Sequence, residues 1–168
     1  MSIKNKLICL KNKETLKFDD FYFKCSVGKK GLTSIKREGD NKTPRGKFDL
    51  GNIFYRADRI KKPFTKLTCK KITPKMGWCD DQRDRKNYNK LIISTEGIKC
   101  EKLFRNDNKY DYFIPILYNS KKRILGKGSA IFIHLTKDYK KTAGCIALNK
   151  KDFKILVRLI NKKTKLLI

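Results

Sequence analysis

The chain has one histidine, His134, and eleven residues further on stands Cys145, one of six cysteines. A thiol attacks a carbonyl as its thiolate, and a free cysteine with a pKa of about 8.5 is mostly protonated at neutral pH, so it needs a base or a cation beside it. An imidazole can take the thiol proton and return it to a leaving amine, which is the minimum for acyl transfer through a thioester. Gly144, directly before the cysteine, lets the backbone turn sharply and brings successive N–H groups toward a developing oxyanion. Lys137, Lys140 and Lys141 lie between the two residues, where they favour thiolate and attract carboxylates. The same residues also read as a packing histidine at the end of an apolar strand and an inert cysteine in a buried "GCIAL" strand. Spacing alone leaves both readings open.

The elements that must position this pair are mostly strands. Short apolar segments separated by Gly, Pro and Asn clusters fill the first 135 residues: "KLICL" (6 to 10), "FYFKCSV" (21 to 27), "GKFDLGNIFYR" (46 to 56), "KLIIS" (90 to 94), "DYFIPILYN" (111 to 119) and "SAIFIHL" (129 to 135). "VGKKGL" (27 to 32) and "GDNKTPRG" (39 to 46) are turn-forming breaks, with Pro44 fixing its own φ. One helix is predicted at the end, where Phe153, Leu156, Val157 and Ile160 fall at i, i+3, i+4 and i+7, with Ile155 and Leu159 widening the apolar face. Asn149 is its N-cap, and Asp152 sits in the first turn, where an acidic side chain is favourable. His134 thus ends a strand, and Cys145 follows a basic loop just ahead of the helix.

Composition bounds the rest. The chain of 168 residues, 39% hydrophobic, fits one folded domain spanning 1–168. Its net charge of +27, from 43 Lys and Arg against 16 Asp and Glu, attracts polyanions and opposes self-association, so a monomer is expected. The lysines are spread out, with clusters at 61–71 and 136–141 and no arginine-rich arm, so no nucleic-acid partner is expected. No apolar run reaches the 18 residues a membrane helix needs. The start, "MSIKNKLICLKNKE", has only the four-residue "LICL", short of the roughly 7–15 residues of a signal-peptide core. Cys9, Cys25, Cys69, Cys79 and Cys100 form no CxxC pair, and with one histidine no metal site and no cofactor are expected; a reducing compartment is the simpler reading, with most of these five packed as small hydrophobes.

The strand ending in His134, followed by Thr142-Ala143-Gly144-Cys145-Ile146, resembles the signature of the L,D-transpeptidase catalytic domain, in which a strand-borne His precedes a [Ser/Thr]-x-Gly-Cys-hydrophobic motif. "REGDNKTPRGKFDL" (37 to 50) is similar to the family's Gly-Asp-x-x-Thr-Pro-x-Gly-x-Phe segment. "FYRADR" (54 to 59), "WCDDQRDRKNYN" (78 to 89), "GKGSAIFIH" (126 to 134) and "TAGCIAL" (142 to 148) are similar to a small stand-alone branch of it. The resemblance covers nearly the whole chain in order. It implies a mainly β, β-sandwich-like domain with short helices and a C-terminal helix. It also implies a cysteine acyltransferase of peptidoglycan synthesis, with roles in cell-wall biogenesis and cell shape. There Cys145 would attack the bond between an L- and a D-centre of a stem peptide, with His134 as general base and acid. Gly144 and Cys145 N–H groups would hold the oxyanion, and Thr142 would occupy the Ser/Thr position. The family implies the cell envelope or periplasm as location, against the missing export signal.

Three positions depart from the family pattern. Ala143 stands where a second histidine usually precedes the Gly, Leu135 where a small residue often follows the catalytic His, and Ala147 where an Arg is common. Tyr118, Asn119 and Ser129 are candidate substrate-binding residues of the cleft, the first two as donors to an oxyanion. Arg56 and Arg105 are candidates for stem carboxylates or ordinary packing arginines. Trp78, Asp80, Asp81, Asp84, Tyr88 and Asn89 read as a substrate wall or a local structural knot. The alternative functions are a cysteine amidase or L,D-carboxypeptidase using water as acceptor, and a non-catalytic basic polyanion-binding module.

Overall fold

Alternating short apolar segments become a curled, mostly antiparallel sheet. The structure, a computed structural model, describes residues 7–168. Residues 1–6, with the basic start of the chain and the first residue of the expected "KLICL" strand, lie outside the described residues. The chain begins as a meander of β1 (Leu7–Asn12), β2 (Thr15–Phe18) and β3 (Phe21–Ser26). Two small strands pair, β4 (Leu32–Thr33) and β5 (Thr43–Pro44), and β5 falls inside the expected "GDNKTPRG" loop (39 to 46). After them come β6 (Lys47–Asp49), β7 (Ile53–Tyr55) and β8 (Cys69–Lys71). A separate sheet of three uses β9 (Gly77–Cys79), β10 (Leu91–Ile92) and β11 (Cys100–Lys102), in the order β10-β9-β11. The chain returns through β12 (Tyr112–Pro115), β13 (Phe132–Leu135), β14 (Ile146–Leu148), α1 (Lys150–Leu159) and β15 (Lys165–Leu167). The large sheet has the order β6-β15-β1-β2-β3-β14-β13-β12-β7-β8. Among the described residues the connections are turns and bends, and α1 is the one helix.

The segment "GKFDLGNIFYR", read as one strand, is two. Gly51 lies tight against the Pro115 ring, where an added Cβ would come within 3.3 Å, and Leu50 bridges to Ile116. The break sends β6 to one edge of the sheet beside β15 and β7 toward the other beside β12. A ten-stranded sheet divided this way wraps around its own apolar side.

Two faces of the central strands are buried, and that decides where the chemistry sits. Along β13 successive side chains point to opposite faces. Ile131, Ile133 and Leu135 join the main core with Ile114, Ile146, Leu148 and the helix residues Phe153, Leu156 and Val157. Phe132 instead joins Phe54, Tyr110, Phe113 and Cys145, beneath Met76, Trp78 and Leu91 of the small sheet. The helix docks as its period predicts: Phe153 stacks on Tyr112 with centroids 5.8 Å apart, and Asn149 Oδ1 accepts the Asp152 N–H at 2.8 Å. That cap is the one the sequence indicates.

Candidate active site

Cys145 and His134 share one sheet face because β13 and β14 run parallel. Ile133 lies opposite Ile146 and His134 opposite Ala147, so Cys145, one step before Ile146, falls beside Phe132. Phe132 and His134 point the same way along β13, and Cys145 and Ala147 do so along β14. The loop 136–145 runs back the length of the strand to make the parallel pair. It therefore returns the nucleophile candidate to the start of the strand that ends in the base candidate.

The turn holding Cys145 is closed by four side-chain and backbone contacts. Thr142 Oγ1 donates to the Cys145 carbonyl at 2.6 Å and accepts the Gly144 N–H at 3.1 Å. Thr142 N–H donates to Val27 O at 2.9 Å, and its carbonyl accepts Lys29 N–H at 2.8 Å. Gly144 has φ +148°, and a Cβ there would meet the Lys42 carbonyl at 2.9 Å, so both the backbone conformation and the close approach require glycine. Gly28 makes the same kind of junction on the other side, where a Cβ would meet Asn41 O at 2.5 Å. The segments 27–31, 41–43 and 142–144 therefore meet backbone to backbone. Gly28 was not singled out in the sequence because a turn glycine carries no marker of contact.

The sulfur is not yet on the imidazole. Cys145 Sγ accepts the Phe132 N–H at 3.3 Å and donates to Ala130 O at 3.4 Å, and neither contact is to the imidazole. His134 Nδ1 lies 2.9 Å from Leu135 O. A carbonyl can only accept, so Nδ1 carries the proton and Nε2 keeps its lone pair. That Nε2 is buried without a hydrogen-bond partner among the described residues. Burial, and after it the nearby Lys109, push His134 down to about 3, while burial raises the Cys145 thiol to about 11 despite the Phe132 N–H. The resting pair is a neutral thiol and a neutral imidazole.

His134 and Thr142 line a cleft of about 740 Å³, along with Asp107, Lys109, Asp111, Lys137, Asp138, Lys140, Lys141 and Lys150. Cys145 is only 8% exposed. Asp111 is paired with Arg59, and Arg105 donates to Asp107 at 2.6 Å, so the lysines set the sign of the cleft. Tyr110 stands edge-on to the His134 ring, centroids 5.6 Å apart, and its hydroxyl donates to Glu101 at 2.9 Å. Nothing in "NKYDYF" distinguishes this tyrosine from its neighbours.

The remaining candidates serve a scaffold behind the thiol. Asn89 Oδ1 accepts the Trp78 indole N–H at 2.9 Å and the Ala130 N–H at 3.2 Å, and its Nδ2 donates to the Tyr118 and Asn119 carbonyls, both at 3.0 Å. Asn119 ties its own loop, donating to Ile124 O and Gly128 O. Tyr118 donates to Lys127 O at 2.6 Å, and Ser129 donates to Glu38 at 2.7 Å. Glu38 also accepts the Tyr88 hydroxyl at 2.5 Å, a role for "REGD" that its glycine and aspartate pattern does not announce. Arg56 is a packing arginine, forked onto Asp58 at 2.8 and 2.7 Å and laid on the Phe104 ring at 3.4 Å. The stretch from Trp78 to Asn89 is thus a structural knot.

A mainly β domain with a buried cysteine and histidine on adjacent parallel strands is the class that fold and site define. The chain belongs to the L,D-transpeptidase catalytic domain family, whose pattern matches residues 3–168. Among solved structures, it is similar to the helical cell shape determining protein Pgp2 from Campylobacter jejuni, at 21% identity over 96% of this chain and 46% of that one, TM-score 0.47. It is also similar to Bd1075 from Bdellovibrio bacteriovorus, at 16% identity over 98% of this chain and 47% of that one, TM-score 0.48. The chain spans about half the length of these solved proteins. A search of curated proteins finds no match.

Proposed function

We propose that the chain is a cysteine acyltransferase acting on peptidoglycan stem peptides. Cys145 is the nucleophile, and His134 Nε2 is the base that takes its proton and later delivers it to the leaving amine. The observation that carries this reading is the buried, unpartnered Nε2 on the same sheet face as Cys145, on a histidine that also borders a cleft lined by lysines. An unsatisfied buried acceptor costs about 1–3 kcal/mol, a cost that a packing histidine would avoid by pairing both nitrogens. The Cys145 N–H, and the Gly144 N–H once released from Thr142, are the donors for the oxyanion. The lysines draw in the carboxylates of a stem. Thr142 forms the rim, and Tyr118, Asn119 and Ser129 hold the wall behind the thiol. Family membership supports peptidoglycan as the polymer.

Incubating wild type and Cys145→Ala with a disaccharide-tetrapeptide and measuring intact mass tests the mechanism. The expected result is an acyl adduct mapped to Cys145 and absent from the variant. A folded wild type with neither adduct nor altered muropeptide would overturn the assignment. Cross-linked or exchanged muropeptides support transfer, whereas shortened stems alone make the enzyme an L,D-carboxypeptidase.

A further inference from the structure

The small sheet holds two cysteines for which the acyl-transfer chemistry has no use. In the antiparallel register Cys100 of β11 lies directly opposite Cys79 of β9. Among the described residues no other strand pairing sets two cysteines face to face: Cys9 is opposite Lys17 and Leu167, Cys25 opposite Leu148 and Cys69 opposite Ile53.

The hydrogen bonds say which kind of pair this is. Cys79 N–H donates to Lys90 O at 2.9 Å, and its carbonyl accepts Asn89 N–H at 2.8 Å, both on the β10 side. The bond toward the chain of β11 is made by Met76, whose carbonyl accepts Leu103 N–H at 3.2 Å. Successive residues of a strand turn these groups to opposite sides, so Met76 and Trp78 face β11 and Cys79 does not. Cys79 and Cys100 are therefore a non-hydrogen-bonded pair, with Cα atoms about 4.5 Å apart and side chains close on one face. That separation falls inside the range of about 4.4–6.8 Å that a disulfide spans. Cys100 Sγ now leans into the space left by Gly77, where a Cβ would lie 2.3 Å from it. Rotation about its χ1 turns it toward Cys79.

We propose that Cys79 and Cys100 are the site of a disulfide that braces β9 against β11. Cys100 is partly exposed and Cys79 fully buried, so the order of events follows from access. The Cys100 thiolate attacks a disulfide oxidant of the glutathione class, forming a mixed disulfide and releasing one thiol. Cys79 then displaces the second thiol. Two protein thiols give up two protons and two electrons, and the oxidant becomes two thiols. Burial, with Asp80 close to both, holds the two thiols up, so the reaction is slow without an exchange catalyst. The brace reaches the site, because Trp78 of β9 packs edge-on against Phe132 at 5.2 Å, and Phe132 N–H is bonded to Cys145 Sγ. It does not depend on which substrate the site takes.

The test equilibrates the full chain across a series of reduced to oxidised glutathione, quenches it with acid, alkylates it and digests it with trypsin without reductant. The expected product joins the peptides Met76–Arg83 and Cys100–Lys102 and is lighter than the two free peptides by two hydrogens. Oxidation should also raise the melting midpoint by about 5–10 °C in wild type and not in Cys100→Ser. Full alkylation of both cysteines at the most oxidising ratio would overturn the proposal. So would glutathione held on Cys100 with Cys79 still alkylated, or a bond from either one to a different cysteine. The peptide map needs only wild type, so the proposal stays testable if the variant fails to fold.

Discussion

His134 spends its Nδ1 proton on Leu135 O and presents Nε2 as a bare acceptor, and from that geometry its titration follows. The unfolded chain takes up this proton near 6.5, the folded chain only near 3. Between those values the unfolded state binds more protons, so stability is full above about 6.5 and falls as the pH drops toward 3, at up to about 1.4 kcal/mol per pH unit. Asp107, held low by its hydrogen bonds from Arg105, adds losses only below the usual carboxylate range. Melting midpoints of wild type and His134→Asn between pH 5 and 7 should therefore show a slope in the first and nearly none in the second; equal slopes would mean the ring is not buried neutral. Alkylation followed on the Cys145 peptide should climb with pH toward about 11, with no plateau near neutrality. A plateau near pH 7 would instead reveal a preformed thiolate–imidazolium pair. That His134 and Cys145 could do chemistry was legible in the sequence from their types, while their placement on one sheet face came from the pairing of β13 with β14. The resting direction of the sulfur was not legible, since it depends on Ala130 O and Phe132 N–H, backbone groups that any residue supplies.

Among the elements, the segment from Trp78 to Asn89 is the support that the cysteine turn lacks on its outer side. Asn89 satisfies four groups at once, and Ala130, whose N–H it holds, offers the carbonyl that receives the thiol. Asn89→Ala leaves the Trp78 indole N–H and the Ala130 N–H without their acceptor. The expected cost is about 2 kcal/mol or more, a drop of roughly 5 °C in the melting midpoint, with faster alkylation of Cys145 as Ala130 loosens. An unchanged midpoint and alkylation rate would show that the knot does not reach the thiol. Long apolar strands and the capped helix could be read ahead of the structure because their periodicity is strong. Strands such as β9, β11 and β15 could not, since three residues carry no period and their pairing is set by neighbours far away in the chain. The split of "GKFDLGNIFYR" was hidden for a related reason: Gly51 is needed there for contact with Pro115, and sequence shows the glycine without the contact.

For the whole molecule, a net charge of +27 means that lysines far outnumber acidic partners, and five lysines stand around one cleft, of which, among the described residues, only Lys140 and Lys141 are paired, with Asp138 and Glu14. Attraction of this kind is screened over a Debye length of about 10 Å at 0.1 M salt. Association of the chain with purified anionic cell-wall polymer should weaken at least about tenfold between 0.05 and 0.5 M salt. The alkylation rate of Cys145 by a neutral reagent should stay level over the same range, because that sulfur is buried away from the mobile ions. Salt-independent association would mean the cleft grips something other than charge. Sign and size of this field were evident from composition, and Lys137, Lys140 and Lys141 from the loop after His134; the fold adds Lys109 and Lys150 to the same opening.

The placement of β14 between β3 and β13 also sets a timetable. The strand that follows Cys145 pairs on one side with its sequence neighbour and on the other with Ser26 and Cys25, made near the opposite end of the chain. Such long-range closure is entropically costly and comes late in folding. The thiol is therefore walled in only after the segments around Cys25 and Ile146 have met. Until then Cys145 travels as an ordinary exposed cysteine.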